Sequence, residues 1–295
     1  MRSRVWLAAV VAAVALNGAC SDATDPTDPS SAALNRSKIG HPGSYDPPGK
    51  AGRRGAHDDR DVHRIYGRPV QVGNGHARSY IAIRRGAPVE VGVALSERAM
   101  DGLPAPTGTT PDSHMYLLPL PAWNPTQYQL VELDWNPAGH PPPMVYTVPH
   151  FDFHFYRISQ AERDAIVPGP DFAARTDNLP PERYRPANYQ PDSRPDGSLI
   201  GVPMMGLHWE NMLGPEFHGV PFTSTFIYGS WDGTFTFDEP MVTYAYLMSH
   251  PDTVGAIEVP AHFQYRGYHP TSYRVVYDRR AREYRVAVSD LKRFW

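Results

Sequence analysis

Apolar and polar residues alternate along VPHFDFHFY: Phe151, Phe153 and Phe155 take every second place, with His150, Asp152, His154 and Tyr156 between them. A period of two marks a β-strand, whose successive side chains point to opposite faces. The aromatic face belongs in a core. The other face lines up His, Asp and His towards solvent or a cavity, and is the most informative surface of the chain.

Similar runs predict further strands at 79–84, 89–94, 115–120, 129–134, 223–228, 234–237, 254–259, 272–277 and 283–288, with the histidine strand itself at 144–156. Two hairpins follow from their turns. Asp232 and Gly233 separate alternating runs in TFIYGSWDGTFTF, a strong signal for a two-residue turn, and a charged loop divides YRVVYDRRAREYRV. Helices are predicted to be few and short, with Ser96, Ser159 and Thr243 as starting points. The stretch 168–195 is Pro-rich and without period, a connector between two β halves or a long loop over the site. With 32 Pro, 24 Gly and 12% aromatic residues, the fold class is mainly β, with antiparallel sheets in a barrel or sandwich-like arrangement, a few short helices and long Pro-rich loops.

The N-terminal pattern is different. Arg2 and Arg4 precede an apolar run at 5–16 that ends in Gly18, Ala19 and Cys20, and a polar stretch, SDATDPTDPSS, follows. The run is too short to span a bilayer and has the form of an export signal. LNGAC is similar to a lipobox and makes Cys20 the lipidation site, although Asn17 stands where that pattern prefers Leu. The alternative is an ordinary secretory signal with an incidental cysteine. The expected organisation is therefore a signal at 1–20, a disordered tether at 21–62 poor in aliphatic and aromatic residues, and a β-rich domain at 63–295. The expected location is the cell envelope, as a membrane-anchored lipoprotein facing the periplasm or the cell exterior.

Cys20 is the only cysteine, so no internal disulfide can form, and stability must come from a packed core. A net charge of −3 and the lack of a basic cluster beside stacking aromatics argue against a nucleic-acid partner. The membrane, reached through the lipid, is the expected partner. A small molecule, another protein and further copies of the chain stay open as others.

The chemistry rests on histidine and carboxylate. On a flat strand, residues two apart lie roughly 6.6 Å from one another and residues four apart roughly 13 Å. Asp152 can therefore share an ion with one neighbouring histidine, while His150 and His154 cannot readily share one without a bulge. Further ligands must come from other strands, and GLHWEN and TFTFDEPM supply His208 and Glu239. The candidate metal residues are His150, Asp152, His154, His208 and Glu239, with Glu210, Glu216 and His218 behind them. Imidazoles with a carboxylate suit a divalent transition metal (Zn, Fe, Mn or Cu), and an open position would allow catalysis. Affinity should fall below a pH of about 6.5, where imidazoles take up protons.

The plain alternatives are a wet sheet face for the histidine row, an exposed turn for Glu216 and His218, loop positions for His262 and His269, and apolar packing for Met204, Met205 and Met212. Two other functions stand beside the metal protein. One is a non-catalytic binding module using aromatic surface around Trp209, Tyr228 and Trp231, and the other is a metal-free acid/base enzyme.

The series GNGHARSYIAI, GVALSERAMDGLP, PHFDFHFY, MGLHWEN, PEFHGVPFTSTFIYGSWDG and FDEPMVT resembles a family of exported bacterial proteins of unknown function, named after a Thermus protein under sigma-E and anti-sigma-E control. The resemblance spans 69–250. It implies an envelope protein, carries no established activity, and neither supports nor excludes a metal.

Overall fold

The computed structural model describes residues 61–108 and 112–294. The export signal, Cys20 and the tether as far as Arg60 lie outside the described residues. In chain order the strands are β1 (Val62–Tyr66), β2 (Val70–Val72), β3 (Gly75–Arg84), β4 (Ala87–Ser96), β5 (His114–Leu118), β6 (Leu130–Asn136), β7 (His150–Tyr156), β8 (Tyr189–Pro191) and β9 (Gly201–Val202). They continue with β10 (Gly206–Asn211), β11 (Ser224–Trp231), β12 (Thr234–Thr243), β13 (Asp252–Ala256), β14 (Gly267–His269), β15 (Ser272–Asp278), β16 (Glu283–Ser289) and β17 (Lys292–Phe294). The helices are α1 (Gln160–Asp164), α2 (Phe172–Asp177) and α3 (Tyr244–Met248).

Two large antiparallel sheets result. One has the order β1-β3-β4-β16-β15-β13 with β2 on β3, and the other the order β5-β6-β7-β12-β11-β10-β8 with β9 on β10. Neither path returns to its start, so the sheets form a sandwich and not a barrel. Their inner faces share one core. Ile81, Val91, Val93, Leu95, Val286 and Val288 of the first sheet cluster with Val131, Leu133, Phe151, Phe153, Phe155 and Trp209 of the second. Burying both inner faces in one layer is how two sheets remove their apolar sides from water.

The expected turn at Asp232 and Gly233 is present, with φ of 48° and 81°, the left-handed pair a two-residue hairpin needs. Ser159 starts α1 with a reciprocal capping box to Glu162. Thr243 caps α3. Ser96 precedes a 3-10 turn without capping it, because its hydroxyl accepts from the His76 amide instead.

Three expectations change. The histidine strand starts at His150 and not at 144, since the prolines at 141–143 and Pro149 cannot feed a central ladder, and 137–149 forms a loop. The Pro-rich stretch 168–195 holds α2, a 3-10 turn and β8, whose residues pair with β10. Finally, β1 begins at Val62, the last position of the expected tether.

Candidate metal centre

Register sets the site. Across β6 and β7, Glu132 stands opposite His154, Asp134 opposite Asp152, and Asn136 opposite His150. On the other side of β7, Glu239 lies in β12 between the pairs Asp238 with Phe155 and Met241 with Asp152, which brings it beside His154. His208 reaches in from β10, where its partner on β11 is Gly229. A Cβ at Gly229 would fall 1.9 Å from the Phe237 ring. Glycine therefore lets that ring lie against His208 at 5.4 Å and His154 at 5.0 Å between centroids.

This is the face of the second sheet turned away from the shared core, yet it is not wet. His150 and His154 are 0% exposed, Asp134 and Glu239 1% and Asp152 4%. Tyr146 and Phe222 close over it by packing on Ile227 and Met241, while Ile158 and Met205 pack with Leu130, Tyr156 and Phe237. The plain wet-face alternative does not describe this row.

The five candidate metal residues fall into two groups, with His150 and His154 apart as their strand spacing requires. His154 Nε2 lies 3.5 Å from Glu239 Oε1, and His208 Nε2 lies 3.6 Å from Glu239 Oε2. His150 and Asp152 belong to a second group, with His150 Nε2 at 3.1 Å from Oδ1 and His140 Nε2 at 3.4 Å from Oδ2. Ligand atoms in each group lie within 4.8 Å of one another, as they do in Glu132, Asp134 and His154. His150 and His154 point into separate groups because four residues of flat strand hold them too far apart.

Except for the 3.1 Å between His150 and Asp152, these spacings exceed an ordinary N–H···O bond of about 2.7–3.2 Å and suit ligands. Donor and acceptor in a charge-assisted N–H···O bond stand about 2.7–2.9 Å apart. Ligands at about 2.1 Å from one ion stand about 3.0 Å apart in an octahedron and about 3.4 Å in a tetrahedron. Glu132 Oε1, both Asp134 oxygens, His150 Nε2, Asp152 Oδ1, both His154 nitrogens and Glu239 Oε2 are buried without a hydrogen-bond partner. Native proteins seldom leave buried polar atoms unpaired, at a cost of about 1–3 kcal/mol each. A cluster of them aimed inward is the arrangement a cation would complete.

The electrostatics agree. Burial pushes His154 down to about 3 and His208 down to about 4, the latter helped by His140, so both rings are neutral and able to ligate near neutral pH. Burial, then the charges of Asp152 and Asp134, raise Glu239 well above the usual carboxylate range. Burial, then Glu132 and Asp152, do the same to Asp134. Burial lifts Glu132 to about 7 despite its ion pair with Arg163. At Asp152 burial also acts upward, but His150 and His140 outweigh it and hold the carboxyl well below its ordinary value. At His140 burial acts downward, and the hydrogen bond and charge of Asp152 overcome it.

The outlying candidates separate. Glu210 shares the His208 side of β10, and burial, then Asp192, raise it to about 7. Glu216 is buried, 3.5 Å from the Tyr146 hydroxyl, in the 3-10 turn Pro215–His218. The exposed His218 faces the Met212 carbonyl at 3.0 Å, as a turn residue would. His269 is not a surface residue but is buried, stacked on Phe263 at 3.8 Å. Met205 packs apolar as expected, and the Met204 sulfur meets Arg163. The expected aromatic surface is absent, because Trp209, Tyr228 and Trp231 are 1%, 4% and 8% exposed.

Glu132, Asp134 and Asn136 stand outside the expected site residues, yet LVELDWN alternates as plainly as HFDFHFY and carries two acids on one face. His140 sits in GHPPP, a loop with no period to place it.

Fold and site together define a β-sandwich protein with buried histidine and carboxylate groups able to hold metal ions. The model of the TTHB210-like family, described as hypothetical protein TTHB210, matches residues 84–135. That segment includes β4, β5 and most of β6 with Glu132 and Asp134, and of the quoted motifs it contains GVALSERAMDGLP; the site histidines lie beyond it. No curated protein and no protein of solved structure matches the chain.

Proposed function

We propose that this chain is a metal-binding protein in which His154, His208 and Glu239 hold a divalent transition-metal ion. The observation that carries the reading is the approach of His154 Nε2 and His208 Nε2 to the two Glu239 oxygens at 3.5 and 3.6 Å, with His154 Nε2 and Glu239 Oε2 buried and without hydrogen-bond partners. Two imidazoles with one carboxylate suit Zn²⁺, Fe²⁺, Mn²⁺ or Cu²⁺, and three protein ligands leave a position for water or a small ligand. Glu210, raised to about 7 beside His208, is suited to exchange a proton with a molecule bound there. Elemental analysis of the purified chain should find a bound transition metal that chelation removes and Zn²⁺ restores. His154→Ala and His208→Ala should each weaken Zn²⁺ binding at this site at least 100-fold. Affinity left unchanged in both variants would end the reading.

The same proposal includes export and anchoring through Cys20, supported by the apolar run at 5–16 and the lipobox-like LNGAC. Lipid chains hold a protein at a membrane, whereas a polar tether has no such affinity. Cys20→Ala should move the protein from the membrane fraction to the soluble envelope or culture fraction. Wild-type protein recovered wholly in the soluble fraction, with Cys20 unmodified, would contradict anchoring.

A further inference from the structure

We propose that His140, His150 and Asp152 form a second metal site beside the first, so that one chain binds two divalent transition-metal ions. The ring orientations point to it. His150 Nδ1 lies 2.7 Å from the Val148 carbonyl and His140 Nδ1 lies 2.7 Å from the Pro141 carbonyl. A carbonyl oxygen only accepts, so each Nδ1 carries a hydrogen and Nε2 is the atom left to ligate. Both Nε2 atoms face Asp152, at 3.1 and 3.4 Å, edges that an ion at about 2.1 Å from each atom fits.

The surroundings are built for it. His150 is 0% exposed and Asp152 4%, and both His150 Nε2 and Asp152 Oδ1 are unpartnered. Asn136 donates to Asp152 Oδ2 at 2.7 Å, fixing the carboxylate plane as outer partners do around metals. The His140 side chain is 32% exposed, which opens the group to solvent on its loop side. Residues 152 and 154 stand roughly 6.6 Å apart along the strand, so the two ligand sets are neighbours without sharing a protein ligand.

The second site has its own ligands, and although it extends the metal-protein reading, it can stand or fall separately. Full-length metal-free protein would be loaded with Zn²⁺ or Co²⁺, desalted, and its metal counted, with Co²⁺ absorption reporting each site. Two equivalents are expected. His140→Ala, on a partly exposed loop, and Asp152→Asn, which keeps the shape of the buried side chain, should each leave one equivalent, as should His208→Ala at the first site. One equivalent in the wild type, kept by His140→Ala and Asp152→Asn but lost in His208→Ala, would overturn the second site and leave the first standing. One equivalent lost in His140→Ala and Asp152→Asn but kept in His208→Ala would support the His140 site and overturn the His208 site. Wild type without metal would overturn both.

Discussion

Metal-free protein is expected to lose stability as pH rises from 6.5 to 8, and bound Zn²⁺ to reduce that slope by the share Glu239 contributes. Asp134 and Glu239 are raised well above the carboxylate range by burial, and Glu132 and Glu210 to about 7. In this window the folded chain holds protons on these groups that the unfolded chain has already released. Stability from a raised pKa is present at low pH and is lost as pH rises, by about 1.4 kcal/mol per pH unit for each such proton. His154, His208 and His269, lowered to about 3, 4 and 4, act oppositely, but most of their effect falls below pH 7, where unfolded imidazoles become charged. With several carboxyls contributing, the net loss across the window should reach about 2 kcal/mol or more. Metal replaces the protons on its ligands and binds only the folded state, adding about 4 kcal/mol at a thousand-fold excess over Kd. Thermal unfolding at several pH values, with chelator and with Zn²⁺, measures both effects. Metal-free stability that stays flat or climbs from 6.5 to 8 would show that the buried carboxyls are ionised without metal.

Phe153→Ala should destabilise the fold by about 3–5 kcal/mol, a large share of the roughly 5–15 kcal/mol that holds a typical domain. Phe153 is 0% exposed in the core shared by both sheets and lies 6.2 Å from Phe151 between ring centroids. Its neighbours Asp152 and His154 point to the opposite face, so the cavity opens away from the candidate metal ligands. Trp123→Ala, at a side chain 52% exposed, provides the comparison and should change stability by less than about 0.5 kcal/mol. Denaturant titration with metal present separates the two, and a loss below about 1 kcal/mol at Phe153 would mean that the strand's aromatic face is not its core face.

Local chemistry alone determines much of this protein. Strict alternation in HFDFHFY sets one face of β7 apart from the other, because a strand has no other way to place odd and even residues. Asp232 and Gly233 fix a hairpin because both accept positive φ, and Ser159 with Glu162 starts a helix because each satisfies the other's backbone amide. Such signals are local, and they survive into the structure. The start of β7 was less legible, since the strand-forming residues of MVYTV run directly into Pro149, which cannot join a ladder.

Only the tertiary structure decided which polar residues meet. His154 and His208 are far apart in the chain, and they approach one Glu239 because the order β7-β12-β11-β10 and the missing side chain at Gly229 bring them across the sheet. The division of His150 from His154 follows from strand spacing, but its other half, His140 on a loop without period, could be placed only by the fold. Burial was equally a tertiary outcome. Whether a polar strand face meets water or lies beneath Tyr146 and Phe222 depends on loops packing over it, and those loops carry no periodic signal of where they will rest.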